Sequence, residues 1–204
     1  MSKRGGIRLN LGCGVVLAPG FINVDKFFTL ADLRRKEGIY GNAEVPDGAH
    51  FVQADLADLP FEDGVAEYVE SIDCVEHLPF RDLPAAFAEM YRVLRPGGKL
   101  ALMTSSFDNL ARLWLDNMTD GWKPEAYEEL VQLLYGNQLG PGEFHCNPFN
   151  GWIMKHYLEG AGFRDFKITV YPHNSTERPP IQTQEWGPET LYIRSDMLWV
   201  EAVK

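Results

Sequence analysis

The chain predicts an α/β fold of the doubly wound type, and three observations carry that expectation. Ile7, Leu9 and Leu11 place apolar residues at alternate positions and run straight into Gly12-Cys13-Gly14, a strand closed by a glycine turn. A second apolar segment, 22–24, closes on Asp25, an acid at a strand tip where open α/β sheets hold a ribose. Beyond it, strand signals and helix signals alternate for most of the chain. The glycines matter because a backbone without side chains can turn tightly and let a ligand approach.

Taken in order, residues 12–21 are too short a link for the full helix that a parallel crossover ordinarily carries. That helix is expected to be cut to a turn or lost, with Pro19-Gly20 bending the chain. Residues 30–37 form a short helix candidate, and 50–55 a third strand ending in Asp55. Asp58, Glu62 and Asp63 read as solvated surface. Residues 68–72 form a fourth strand whose exit loop spans 73–78. Over 81–94, Leu83, Phe87, Met90, Tyr91 and Leu94 recur at helical spacing. Pro96-Gly97-Gly98 stops that helix, and 99–104 is a fifth strand.

From 105 to 150 the rhythm breaks. Two helix candidates, 110–117 and 124–134, are set among Gly- and Pro-rich turns. An insertion at the carboxyl end of a strand sits where such sheets bind ligands, so 105–150 is expected to act as a helical lid. Trp114, Trp122 and Phe149 suit either helix core or stacking on a ligand ring. A helix over 152–159, a sixth strand over 166–171 and a seventh over 197–203 follow. The Pro-rich connection 172–196 reads as an arm or lid, long enough to clasp a second copy, which makes a homodimer one expectation.

With 204 residues, 45% of them hydrophobic, and no repeat or linker, residues 1–204 read as one domain. No apolar run is long enough to cross a bilayer, and MSKRGG lacks a signal peptide's apolar segment. A cytoplasmic chain with no membrane partner is expected. Cys13, Cys74 and Cys146 are an odd set without CxxC spacing, as reduced thiols are. The net charge of −10 repels phosphate backbones, which disfavours nucleic acid as the main partner.

LNLGCG, the acid after the second strand, ADLADLPFEDG, VEHL, YRVLRPGGKL and LEGAGF stand in this order. Together they resemble class I (Rossmann-like) S-adenosylmethionine-dependent methyltransferases, most closely small ones whose first motif runs GCG…PGxxNVD with a shortened first helix. The likeness covers 7–104 well and 145–171 moderately. It implies a mostly parallel seven-stranded sheet with the last strand antiparallel, plus a helical insertion after the fifth strand. It also implies methyl transfer from S-adenosylmethionine to an O or N atom of a small molecule, in a pocket roofed by 105–150. In that family Asn10, Leu11, Gly12, Cys13 and Gly14 would pack against the methionine moiety. Asp25 would accept from the ribose hydroxyls, and Asp55 from the adenine amine with Ala54 and Leu56 beside it. Ser71, Ile72 and Asp73 would line the methionine end. Asn10 and Ser106 stand where relatives often carry acids, which keeps a non-catalytic cofactor-binding protein open as an alternative. A protein or glycan methyltransferase is another. A nicotinamide dehydrogenase is disfavoured because Leu17 replaces the third glycine of GxGxxG.

A hydroxyl acceptor must lose its proton, and His145 and His77 are the candidate catalytic residues, with Asp73 and His173 behind them. Cys146 is expected to be a buried small apolar residue. No metal-ligand spacing is legible: His145 and His156 do not share a helical face, and no carboxylate pairs with them at i, i+4.

Overall fold

The computed structural model describes residues 6–27, 29–35, 44–118, 121, 124–140, 142–172, 177–183 and 197–204. Strands β1 (Ile7–Leu11), β2 (Ile22–Asp25), β3 (His50–Gln53), β4 (Ala66–Ile72), β5 (Leu94–Ser105), β6 (Arg164–Tyr171) and β7 (Met197–Val203) form one sheet. Its order is β3-β2-β1-β4-β5-β7-β6, with β1 to β5 parallel and β7 antiparallel to both neighbours. This is the doubly wound, mostly parallel sheet with a reversed last strand. The carboxyl ends of β1 to β5 therefore share one edge.

Period-two alternation decides what each face buries. Leu9, Leu11, Val69, Leu100, Leu102, Leu198 and Val200 point to one core. There they meet Leu83, Phe87 and Met90 of α2 (Leu83–Val93) and Met154 and Leu158 of α5 (Gly151–Ala161). The alternate residues Ala101, Met103, Met197 and Trp199 form a second cluster on the other face. Helix α5 starts where the Asn150 side chain accepts from the Ile153 N–H at 2.9 Å, and it ends at Gly162 with φ 105°. A short helix α1 (Leu30–Arg35) buries Leu33 against Leu17, while residues 36 and 37 of its expected span lie outside the described residues.

Residues 12–21 carry no helix. A pair of buried amides holds this crossover instead. Asn23 Oδ1 accepts from Asn10 Nδ2 at 2.9 Å and from the Ala18 N–H at 2.8 Å, while Asn23 Nδ2 donates to the His50 carbonyl at 3.1 Å. Asn10 Nδ2 also donates to the Val16 carbonyl at 3.0 Å.

Several boundaries differ from the sequence reading. Strand β3 ends at Gln53, where the Ala54 N–H makes the last parallel rung to the Asp25 carbonyl at 2.9 Å, and Asp55 lies past it in a turn bridged to Asp58. Strand β5 starts at Leu94, directly after α2, with a register shift where it pairs Ala66 and Tyr68. The Pro96-Gly97-Gly98 stretch is thus an irregular strand entry. Asp63, read as solvated surface, is indeed exposed and pairs there with Arg92 at 2.8 Å. Arg92 also donates to the Phe61 and Leu59 carbonyls, and Glu89 accepts from the Leu59 N–H at 2.8 Å, tying the loop after Asp55 to α2.

Between β5 and α5 stand α3 (Phe107–Met118) and α4 (Pro124–Tyr135). Trp122 lies outside the described residues. Of the connection 172–196, residues 181–183 pack on the sheet of the same chain. The Gln182 and Thr183 N–H groups donate to the fully buried Glu70 carboxylate, which also accepts from the Tyr68 hydroxyl at 2.6 Å. Ile181 packs on the second cluster. Among the described residues, no helix is long and apolar enough to cross a membrane.

Candidate active site

The glycine bend leaves β1 with Gly12 at φ 67° and Gly14 at φ 52°. The N–H groups of Gly12 and Cys13 both donate to the Val24 carbonyl, at 2.8 and 3.0 Å, so the bend is pinned to β2. A side chain on Gly12 would stand 2.0 Å from Cys74 Sγ, whereas beyond Gly14 there is open space. The first glycine is needed for packing and the second leaves room for a ligand.

Asp25 closes this bend. Its Oδ2 accepts from the Gly14 N–H at 3.0 Å and its Oδ1 from the Phe27 N–H at 3.0 Å. Burial pushes its carboxyl above the ordinary range, against the pull of the N–H groups of Phe27, Gly14 and Lys26. Asp55, one strand over, is half-buried. It accepts from the Ala57 N–H at 3.0 Å and pairs with Lys26 at 2.6 Å, and these two partners hold its carboxyl below the usual range. Each of the two carboxylates keeps a lone-pair site for a further donor.

The remaining candidates sort by which part of them the cleft can use. Leu11 is fully buried in the main core, as nearly is Leu56, so only their backbones are available. Asn10 spends its amide nitrogen inside the crossover. Cys13 is buried, and burial followed by Asp25 and Cys74 pushes its thiol far up, so it stays protonated. Ser71 is buried at the end of β4, and Ile72 packs on the second cluster. Asp73 sits at φ 44°, a left-handed conformation for a residue other than glycine, at the exit of β4.

The second half of the site comes from a three-residue 3-10 turn, Val75–His77, and the segment 144–149. Backbone hydrogen bonds dock the two: Cys146 and Asn147 N–H donate to the Glu76 carbonyl at 2.7 and 3.2 Å. The segment also completes α4, whose last carbonyls have no partner within the helix. His145 meets two of them, with its N–H on Tyr135 at 3.0 Å and its Nδ1 on Leu133 at 3.0 Å. His77 Nδ1 faces the Phe144 carbonyl at 3.2 Å. The two imidazoles, 68 residues apart in the chain, stack edge to face at 4.6 Å. Burial and then His145 push His77 down to about 4, and burial also lowers His145. Both rings are neutral at pH 7.

A cavity of about 280 Å³ opens beside this pair, lined by Glu76, Thr104, Leu110, Leu134, His145 and Phe149 among others. Glu76 is only 4% exposed. Its carboxylate takes a hydrogen bond from Thr104, while its Oε2 has no partner among the described residues. Burial and then the nearby Asp73 push this carboxyl well up.

The structure therefore brings His77 and His145 together and sets Asp25 and Asp55 on adjacent strand tips. Cys146, expected to be buried, is exposed, because the segment that carries it hangs from its own backbone hydrogen bonds. His173 lies outside the described residues. The sequence reading missed Glu76. Its signal was an acid inside VEHL, just after a buried strand, where a solvated face would not be expected.

Comparison with known proteins bears on the sequence and the fold. A model of the methyltransferase domain matches residues 9–102. The ubiquinone/menaquinone biosynthesis C-methyltransferase UbiE of Vibrio vulnificus is 34% identical over 164 residues, 79% of this chain and 50% of that protein. The chloroplastic tocopherol O-methyltransferase of Arabidopsis thaliana is 29% identical over 172 residues, 80% of this chain and 47% of that protein. The chain thus spans about half the length of these curated relatives. Among solved structures, a SAM-dependent methyltransferase from Thermotoga maritima superposes with a TM-score of 0.59 at 15% identity, covering 100% of this chain and 84% of that one. One from Methanosarcina mazei gives 0.59 at 15% identity, covering 99% and 93%. Residues 9–102 carry the methyltransferase-domain match, and the sheet built around them has the Rossmann-like fold of solved SAM-dependent methyltransferases.

Proposed function

We propose that this chain transfers a methyl group from S-adenosylmethionine to an oxygen or nitrogen atom of a small molecule. The observation that carries the reading is Asp25, a buried carboxylate stationed by the Gly14 and Phe27 N–H groups beside open space. It lies on the same sheet edge as the Glu76–His145 cavity. The residues present fit the cofactor: two acceptor carboxylates on adjacent strand tips suit ribose hydroxyls and an adenine amine. When bound, S-adenosylmethionine supplies a methyl group activated by a sulfonium.

Asp25 accepts from the ribose hydroxyls and Asp55 from the adenine amine, with Ala54 and the Leu56 backbone beside the ring. Residues 10–14 and 71–73 bracket the methionine end through their backbones. The acceptor occupies the cavity under α3 and α4, so 105–150 acts as its roof. At about 280 Å³ the cavity is at the lower end of ligand pockets, which favours a small acceptor over a protein or glycan chain. In-line displacement needs chiefly positioning, and a hydroxyl acceptor needs a proton acceptor as well. His145, with Nδ1 committed to the Leu133 carbonyl, presents its other ring nitrogen for that proton. His77 packs on it as a positioning residue.

Calorimetry with S-adenosylmethionine and S-adenosylhomocysteine tests the reading. One site per chain is expected, and Asp25→Ala should weaken it by about 1–3 kcal/mol, the worth of charged hydrogen bonds. No binding of either compound overturns it. Binding without turnover across acceptor panels would instead make the chain a non-catalytic cofactor-binding protein.

A further inference from the structure

Three ligating side chains converge where spacing along the chain gave no hint of it. One ligand atom from each of Glu76, His77 and His145 lies within 4.8 Å of the other two. Both imidazoles face a backbone carbonyl through Nδ1, His77 at Phe144 and His145 at Leu133. A carbonyl only accepts, so each Nδ1 carries the ring proton and each Nε2 keeps a bare lone pair. Anchoring the far nitrogen in this way sets the tautomer and the ring orientation, as proteins do for metal-binding histidines. Glu76 adds a buried carboxyl group whose Oε2 has no partner among the described residues. A buried carboxylate oxygen without donor or cation is expensive.

We propose that Glu76, His77 and His145 hold a divalent transition-metal ion of the zinc, iron or cobalt kind. Two imidazoles and one carboxylate suit these ions, whereas magnesium and calcium take oxygen ligands. Tetrahedral ligand atoms at bond lengths of about 2.0–2.2 Å stand roughly 3.3–3.6 Å apart, so from within 4.8 Å the three side chains close by up to about 1.5 Å. Three protein ligands leave a coordination position open, and Glu76 and His145 both line the cavity, so that position faces it. One consequence rests on the methyl-transfer reading: an acceptor hydroxyl bound there loses its proton more readily. Ligation and proton acceptance draw on the same His145 lone pair, so a metal-loaded site replaces His145 as the base.

The test titrates the chelator-stripped full chain with Co²⁺ and then displaces it with Zn²⁺. One Co²⁺ per chain is expected, with the visible d–d absorption of a four- or five-coordinate site. His77→Ala and His145→Ala should each lower its affinity by at least about tenfold with an unchanged far-ultraviolet spectrum. On the unmodified protein, Zn²⁺ should shift the imidazole resonances of His77 and His145 together while leaving His50 and His156 in place, which serves if the variants do not fold. Co²⁺ binding without that absorption, variant affinities equal to that of the unmodified chain, or unmoved His77 and His145 resonances overturns the site. S-adenosylhomocysteine calorimetry on the same stripped and loaded samples reads the cofactor cleft separately, so either inference can fail alone.

Discussion

Asp25 is held in a place that opposes its charge. With its folded-state pKa raised, its contribution to stability is fully present below the unfolded value and is lost as pH rises through the folded one. Near neutrality the bare fold therefore carries the ionised group at a penalty, while the proposed ribose contact needs that ionised form. Affinity for S-adenosylhomocysteine should be flat around pH 7 and fall on acidification, beginning above the ordinary carboxylate range. Calorimetry across pH should show this slope in the unmodified chain and none in Asp25→Asn. A slope that survives the substitution would assign it elsewhere, for instance to Asp55. The Asp55 carboxyl is depressed, so it loses its charge only at lower pH. Gly12, Gly14, Asp25 and Asp55 were all legible in the sequence because each is a local pattern at a strand tip. Glu76 was not, because its role depends on chain from 144–149 arriving over it.

At the scale of elements, the reading failed where long-range hydrogen bonds set the outcome. The missing first helix was foreseen from the length of 12–21, but the amide pair that replaces it was not, since Asn10 and Asn23 signal nothing until β1 and β2 align. Asn23→Leu should leave the Ala18 N–H and the Asn10 amide buried without their acceptor, costing about 1–3 kcal/mol. Urea unfolding measures this, and a midpoint shift of a few tenths of a kcal/mol or less would show that the crossover does not depend on the pair. Likewise α4 was foreseen, but not that His145 would cap its last turn. That cap brings the imidazole to the cavity and lifts Cys146 out of the core where apolarity alone would have put it.

At the scale of the whole molecule, the sheet and the insertion divide the work. The strand tips carry the residues proposed to hold the cofactor, and α3 and α4 supply an apolar wall of the cavity that Glu76 also lines. Leu134→Phe adds bulk to that wall only. It should raise KM for an acceptor while leaving S-adenosylhomocysteine affinity unchanged, as steady-state kinetics paired with calorimetry would show. Equal loss of both would mean that the two compartments are one.

The sheet's order has a consequence for how it is built. Strand β6 has one neighbour, β7, and β7 also completes the free edge of β5. In between, the chain detours to the Glu70 carboxylate on β4 where a tight hairpin would have sufficed. Hence β6 has nothing to pair with when it leaves the ribosome, and closing the gap means paying for a long loop before any contact rewards it. Synthesis order and assembly order part company here: the left half of the sheet can zip as it emerges, but the right half must wait for one late strand to slide in between two that preceded it.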